Sequence, residues 1–331
     1  MSTDTRASTD TERRDGGMAK RVVAESYGGP EALSLIDSDV PAPGQGEVTL
    51  RALAIGVNPL DYKLYSGGMG KDPAALPMPV GLELSGTVTA VGRGSEGPAG
   101  PLSVGDEVMA YPAPGAYATD LTVPASSVVP KPPELSWEAA AGLLLTGATA
   151  VHALTVVDPS EGETLLIHGA SGGVGLLAVQ IAAASGARVV GTASERHLEL
   201  VERYGATALP YGDGLLKRVR EAAPDGVDAV VDTSGTREAI DASLELVPDR
   251  ERIVSILAFD RGDTGIKLIG GAPNADPGTQ IRAGAWRRLI RLVRQGELEV
   301  PVSRSYSLAE AAEAHRFLAE GHPGGKVVLL P

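Results

Sequence analysis

The residues from Thr164 to Gly186 constrain this chain more than any other stretch. A short apolar run, Thr164-Leu165-Leu166-Ile167-His168, leads through Gly169 into a glycine turn, Ala170-Ser171-Gly172-Gly173-Val174-Gly175. Val174, Leu177, Ala178 and Ile181 then recur at helical spacing, and Gly186 is placed as a stop. Strand, glycine turn and helix in that order form a dinucleotide-binding fingerprint, here with Ala170 in the first glycine position. The glycines have physical tasks. Gly172 leaves the backbone open to a diphosphate, and Gly175 lets the helix lie close on the strand. The first turn of the helix offers N–H groups that have no partner of their own to an anion. The whole turn, Ala170, Ser171, Gly172, Gly173, Val174 and Gly175, is therefore a candidate cofactor site.

The rhythm of strand and helix continues beyond it. Helices are expected over 173–185 and 197–204, and strands over 188–192, 208–211, 228–232 and 252–257. Alternation of this kind implies a parallel sheet, so the fold class is α/β with a doubly wound Rossmann sheet. Val227-Asp228-Ala229-Val230-Val231 is nearly all apolar, as a strand buried on both faces should be. Upstream, over 20–129, short apolar runs are broken by glycine and proline. Glu47-Val48-Thr49-Leu50-Arg51-Ala52, Gly86-Thr87-Val88-Thr89-Ala90-Val91 and Asp106-Glu107-Val108-Met109-Ala110 predict strands of a mainly β domain. A loop is expected over 92–101 and a linker over 129–133, and Ser136 is placed to cap a helix starting near Trp137. Downstream, 259–280 is glycine-rich and without clear period. A basic helix is expected over 285–295, another helix over 307–320, and a final strand over 326–330. That strand has no neighbour nearby in sequence, so it must pair with the N-terminal domain or extend the central sheet.

A length of 331 residues favours two domains over one core. The net charge, 29 − 42 = −13, argues against nucleic acid or anionic membrane as a partner, because phosphate neutralisation supplies most of that affinity. No run of about 18 apolar residues is present to span a membrane. Residues 1–17 are polar and charged and read as a disordered tail rather than a signal peptide, and a cytoplasmic location is expected. Cysteine is absent, which removes disulfides, thiolate nucleophiles and cysteine-ligated zinc together. The five histidines, at 152, 168, 197, 315 and 322, show no ligand spacing.

The second strand of the nucleotide unit bears on the choice between NAD and NADP. An acidic residue at its end usually binds the ribose 2′-hydroxyl of NAD. Here the segment reads Gly191-Thr192-Ala193-Ser194-Glu195-Arg196, with Ala193 in that position. Ser194 and Arg196 are suited to a 2′-phosphate, since a guanidinium matches phosphate geometry, although Glu195 lies between them. NADPH is the expected cofactor.

Several further segments carry a resemblance. They are Gly56-Val57-Asn58-Pro59-Leu60-Asp61, Pro79-Val80-Gly81-Leu82-Glu83-Leu84-Ser85-Gly86, Leu145-Thr146-Gly147-Ala148-Thr149-Ala150, the glycine turn itself, and Gly324-Gly325-Lys326-Val327-Val328. Together they resemble the zinc-free medium-chain dehydrogenase/reductases of the quinone oxidoreductase group, over nearly all of the chain after Met18. The resemblance implies a GroES-like β-barrel over 18–140, a Rossmann domain over 141–270, and a C-terminal segment, 271–331, that returns to the barrel. Zinc-dependent members carry Cys where this chain has Asn58 and His where it has Leu82. Neither replacement serves as a zinc ligand, so no metal is expected. Without a Lewis acid, hydride transfer suits acceptors already activated by conjugation, such as quinones and enones.

The resemblance also implies site residues. Asn58 and Asp61 border the nicotinamide and the substrate cleft, Thr146 the nicotinamide ribose, and Tyr211 the adenosine end. Ser234, Ser255 and Leu257 lie where the cofactor crosses the sheet, and Lys326 is a C-terminal cofactor contact. Tyr62 and Tyr65 are candidate proton donors, with water as the alternative; Glu83 is expected to be buried and structural. The arginines at 282, 287, 288, 291 and 294 are expected on a solvated or inter-domain face. A homodimer is expected, as relatives are commonly dimers. The expected activity is NADPH-dependent reduction of a small conjugated carbonyl or quinone. The alternatives are a tailoring reductase for a natural-product or acyl-thioester substrate, and an NADPH-binding protein without turnover.

Overall fold

A computed structural model describes residues 18–321 and 324–331. The expected disordered tail, residues 1–17, lies outside the described residues. The N-terminal part is β-rich, with strands β1 Met18–Ala24, β2 Leu33–Asp39, β3 Glu47–Val57, β4 Met78–Pro79, β5 Glu83–Val91, β6 Glu96–Gly97, β7 Gly100–Pro101, β8 Glu107–Ala110, β9 Asp120–Pro124 and β10 Val128–Pro130. Glycine and proline interrupt the apolar runs, so the strands are short and the sheet curls into a barrel around Val48, Leu50, Ile55, Leu84 and Val108. The expected linker is absent in that form: Val128, Val129 and Pro130 pair with Ala110, Met109 and Val108. Helix α1, Pro59–Ser66, leaves the end of β3, and α2, Trp137–Ala141, is capped by Ser136, whose hydroxyl accepts from the Ala139 N–H as expected.

Helix α3, Leu144–Val157, links the barrel to the Rossmann unit. Six parallel strands follow: β11 Thr164–His168, β12 Arg188–Ala193, β13 Ala206–Pro210, β14 Ala229–Asp232, β15 Ile253–Ser255 and β16 Lys267–Leu268. Their spatial order is β13-β12-β11-β14-β15-β16, so the chain reverses direction across the sheet between β11 and β14. The helices α4 Gly173–Ala183, α5 Leu198–Arg203, α6 Leu215–Ala222 and α7 Arg237–Leu246 lie in the connections between β11 and β15.

The basic helix α8, Thr279–Gln295, begins six residues before its expected start. Its Leu289, Ile290, Leu292 and Val293 share a core with α3, α4 and β11. The chain therefore returns to the barrel after α8 rather than at 271. Strand β17, Val302–Ser307, helix α9, Ala311–Ala319, and strand β18, Lys326–Leu330, make that return. β18 lies between β17 and β3, antiparallel to β3, which gives the final strand its place in the barrel sheet.

Candidate active site

The glycine turn sits between β11 and α4 as its sequence demanded. Gly169 holds φ +72°, and a Cβ there would lie 2.6 Å from Thr233 Oγ1, so only glycine fits without strain. A Cβ on Gly175 would overlap the Gly169 carbonyl oxygen, which is the close helix-on-strand approach expected of that position. Gly172 caps α4 in extended conformation, leaving the first N–H groups of an 11-residue helix open to an anion. Ser171 is fully buried in the turn, and its Oγ has no partner among the described residues. The open backbone and the orphaned hydroxyl both fit a bound dinucleotide.

At the strand ends lies a cleft of ≈160 Å³, lined by His168, Gly169, Ser171, Thr192, Ala193, Tyr211 and Ser234 among others. Tyr211 is 48% exposed at its edge. Ser194 Oγ lies 3.2 Å from His197 Nδ1, and the Arg196 side chain is exposed, with a 3.5 Å contact to the Gly321 carbonyl. Asp232, at the end of β14, was not singled out from the sequence. It accepts from Ser234 Oγ at 2.7 Å and Ser255 Oγ at 2.6 Å, and from the N–H groups of Ser234 and Gly235. Ser255 in turn accepts from the N–H groups of Leu257 and Ala258. Its hydroxyl is thus spent on shaping the turn, and its side chain is sealed from the cleft. Leu257 remains partly exposed. Burial lowers the His168 pKa to about 4, against the opposing pull of Asp232, so this imidazole is neutral at pH 7.

Where barrel and Rossmann unit meet, Asn58, Glu83 and Lys326 form a buried polar knot. Asn58 Nδ2 donates to Glu83 Oε1 at 2.9 Å, and Lys326 Nζ donates to Asn58 Oδ1 at 2.6 Å, Glu83 Oε1 at 3.0 Å and Val57 O at 3.3 Å. Glu83 Oε2 accepts the Leu145 N–H from the first turn of α3. Glu83 is therefore buried and structural. Asn58, expected to border the nicotinamide and the substrate cleft, has both ends of its amide held by neighbouring side chains. The Lys326 ammonium is likewise committed to the barrel, while its stem runs beside the glycine turn. A Cβ on Gly173 would lie 3.2 Å from Thr146 Cγ2 and 3.3 Å from Lys326 Cδ. Thr146 spends its hydroxyl on the Gly142 carbonyl at 2.6 Å.

A second buried chain starts at Asp61, whose Oδ2 accepts from the Asn58 N–H at 2.8 Å and the Tyr117 hydroxyl at 3.1 Å. Tyr117 meets His315 Nε2 at 2.8 Å, and Tyr65 meets His315 Nδ1 at 2.6 Å. Burial raises the Asp61 carboxyl to about 7 and lowers His315 to about 4, so His315 is neutral. Tyr65 was expected beside the substrate cleft; it is 1% exposed, stacked on the His315 ring, with its hydroxyl directed into the barrel core. Tyr62 is only partly buried, and burial raises its pKa. Tyr117 and His315 were missed, because nothing local marks a histidine on α9 as the partner of a tyrosine on α1.

Among the described residues, no group of three or more His, Cys, Asp or Glu side chains is arranged to hold a metal, and no helix is long and apolar enough to cross a membrane. An alcohol dehydrogenase GroES-like domain model matches residues 44–133, and a zinc-binding dehydrogenase model matches residues 204–329. A quinone oxidoreductase of Pseudomonas aeruginosa is 33% identical over 95% of this chain and 100% of its own length. A phenolphthiocerol/phthiocerol polyketide synthase of Mycobacterium tuberculosis is 31% identical over 94% of this chain, which spans 15% of that protein. A mycobacterial protein solved in complex with NADPH superposes with a TM-score of 0.80 at 34% identity, covering 95% of this chain and 100% of that one.

Proposed function

The chain belongs to the quinone oxidoreductase group of the medium-chain dehydrogenase/reductases, and from that premise we propose that it is an NADPH-dependent, zinc-free reductase of quinones, enones or similar conjugated acceptors. The observation that carries this reading is the position of Gly173. The start of the phosphate-binding helix lies beside Thr146 and the Lys326 stem, since a Cβ built on Gly173 would come within 3.2 Å of the one and 3.3 Å of the other; this supports a dinucleotide held by the turn with its reactive end toward the junction of the two domains. The NADPH complex of the similar mycobacterial protein supports the same choice of cofactor.

The residues fit that cofactor in a definite way. The N–H groups at the start of α4 and Ser171 Oγ hold the diphosphate, and Ser194 and Arg196 hold the 2′-phosphate. Bound NADPH supplies the hydride. Thr146 and the Lys326 stem limit where the nicotinamide can sit, and the polar knot beneath them is rigid because its donors and acceptors are matched. The donor set argues against zinc. Leu82 has no donor atom, and Asn58 presents an amide that Glu83 and the Lys326 ammonium already hold. A cation 2.6 Å from Asn58 Oδ1 opposes a second, divalent one at the same oxygen. The acceptor must then be activated by its own conjugation. Of the two tyrosines, Tyr62 is the candidate proton donor, since Tyr65 is committed to His315.

The test is NADPH oxidation by the purified protein with benzoquinone, naphthoquinone and a set of unsaturated ketones and aldehydes. Turnover with quinones or enones is the expected result. Oxidation with an unsaturated acyl thioester alone would favour the tailoring reading, which the polyketide synthase relative supports. Tight NADPH binding with no acceptor turned over would favour a non-catalytic role.

A further inference from the structure

The ≈160 Å³ cleft at the strand ends has a wall that the phosphate contacts leave unused. Ala193, Leu215 and Ala239 are buried and apolar beside it, and Tyr211 stands exposed at its edge. Glu238, in the first turn of α7, lines the same cleft with an exposed side chain. Its Oε2 accepts from the Gly212 N–H at 3.0 Å, which ties the start of α7 to the turn after β13. Its Oε1 has no hydrogen-bond partner among the described residues.

The turn that fixes this carboxylate is itself clamped. Arg218, in α6, donates to the Pro210 carbonyl at 3.1 and 2.9 Å, to the Gly212 carbonyl at 2.9 Å and to the Asp213 carbonyl at 2.7 Å. Gly212 holds φ +94°, so it presents its N–H from a backbone shape that other residues rarely adopt. On the other side, Thr236 Oγ1 accepts from the Ala239 N–H at 3.2 Å and caps the helix that carries Glu238. Both ends of the contact between Glu238 and Gly212 are therefore anchored in fixed backbone.

Charge limits what a dinucleotide can present to this wall. Its 2′-phosphate goes to Ser194 and Arg196, just past the end of β12, and its diphosphate to the start of α4. A carboxylate repels both. The part of the adenosine half left for the apolar wall and Glu238 is the base. We infer that Glu238 selects adenine by accepting from its 6-amino group through Oε1, an inference that rests on the reading of this chain as an NADPH-dependent reductase. A carboxylate only accepts hydrogen bonds. It is matched to a 6-amino purine and opposed by a 6-oxo purine, which would set one acceptor against another. Arg218 is a positioning residue, acting through the Gly212 turn. The Gly212 contact makes the assignment sharp. An N–H needs an oxygen to accept it, so Glu238→Gln keeps its amide oxygen on Gly212 and turns its NH2 to the place of Oε1. That donor suits a 6-oxo purine, and the base preference reverses.

The test titrates wild type, Glu238→Gln and Glu238→Ala with NADPH and with its 6-oxo analogue, reduced nicotinamide hypoxanthine dinucleotide phosphate, and reads nicotinamide fluorescence. Wild type should bind NADPH roughly tenfold or more tightly than the analogue, the scale of a hydrogen bond to a charged group. Glu238→Gln should prefer the analogue and melt near wild type, since its amide oxygen keeps the Gly212 bond. Glu238→Ala should bind the two nucleotides about equally. A wild type without preference, or either variant keeping the wild-type preference, would overturn the role of Glu238 while leaving the reductase reading intact. If wild type binds neither nucleotide, it is the reductase reading that fails.

Discussion

Lys326 Nζ stands 3.0 Å from Glu83 Oε1 at a point where both side chains are almost sealed from water, 5% and 1% exposed. The two residues are 243 positions apart, and their contact ties the last strand of the chain to the start of β5 and, through Leu145, to α3. A buried pair of this kind is poor evidence for net stabilisation, because desolvation offsets the attraction. Removing one partner is costly all the same, since it strands the other charge. Lys326→Met should therefore lower unfolding stability by about 3–5 kcal/mol. A Glu83→Gln, Lys326→Met double variant should recover a large share of the loss. Urea denaturation of both variants checks this; a double variant no better than the single one would show that packing, rather than stranded charge, is responsible.

The glycine turn allows two glycines to be separated by function. A Cβ at Gly175 would overlap the Gly169 carbonyl, which is backbone and cannot move aside, whereas one at Gly172 would meet that same oxygen at 3.3 Å. Gly175→Ala should thus depress the melting temperature and NADPH binding together. Gly172→Ala should fold with little change and lose NADPH affinity by tenfold or more, as a rough scale for a Cβ intruding on the diphosphate. Melting curves and NADPH titration of both variants distinguish the two. Equal melting temperatures for the pair would contradict the assignment of Gly175 to helix packing.

How much of this was legible in sequence depended on whether neighbours along the chain carried the signal. β11 runs Thr164–His168, as expected, because a buried parallel strand followed by a glycine turn is a local pattern. Helix α3 was not read as a helix. Leu144–Val157 is buried on nearly every side, so its apolar residues have no polar face to set a period against. β17, Val302–Ser307, is polar and, among the described residues, sits at the edge of its sheet with β18 as its one neighbour, and so lacks the alternation of a half-buried strand. The polar knot was half-visible: Asn58, Glu83 and Lys326 were each singled out, but their mutual contacts were not. His315 and Tyr65 are 250 positions apart, and no spacing rule joins them.

The cofactor preference rests on Arg196. Its guanidinium is exposed beside the Ala193 end of β12 and, among the described residues, has only a long contact to the Gly321 carbonyl. It is thus free to turn to a 2′-phosphate. Arg196→Ala should weaken NADPH by roughly tenfold or more, the scale of a lost charge-assisted hydrogen bond, and leave NADH nearly unchanged. Parallel titrations with the two cofactors read this directly. Equal weakening of both would remove Arg196 from the 2′-phosphate site.

The pH dependence of stability should carry the signature of Asp61. Its carboxyl is raised by burial from an ordinary 3.8 to about 7 in the folded protein, so the folded state holds its proton more tightly than the unfolded chain does. The sign follows from linkage. This group's contribution is fully present below about pH 4 and is lost progressively as pH rises to 7, on the order of a few kcal/mol in total. The buried neutral imidazoles His315 and His168, lowered to about 4, act in the opposite sense and weaken the fold as pH falls below about 6.5. A wild-type melting profile alone would mix the two effects. Asp61→Asn separates them, because an amide oxygen still accepts from Asn58 N–H and the Tyr117 hydroxyl but cannot ionise. The melting temperature of Asp61→Asn minus that of wild type should therefore widen in the variant's favour from pH 4 to pH 7 and level off above it. A constant difference across that range would mean that Asp61 stays charged in the fold throughout, and that the hydrogen bonds from Asn58 and Tyr117 outweigh its burial.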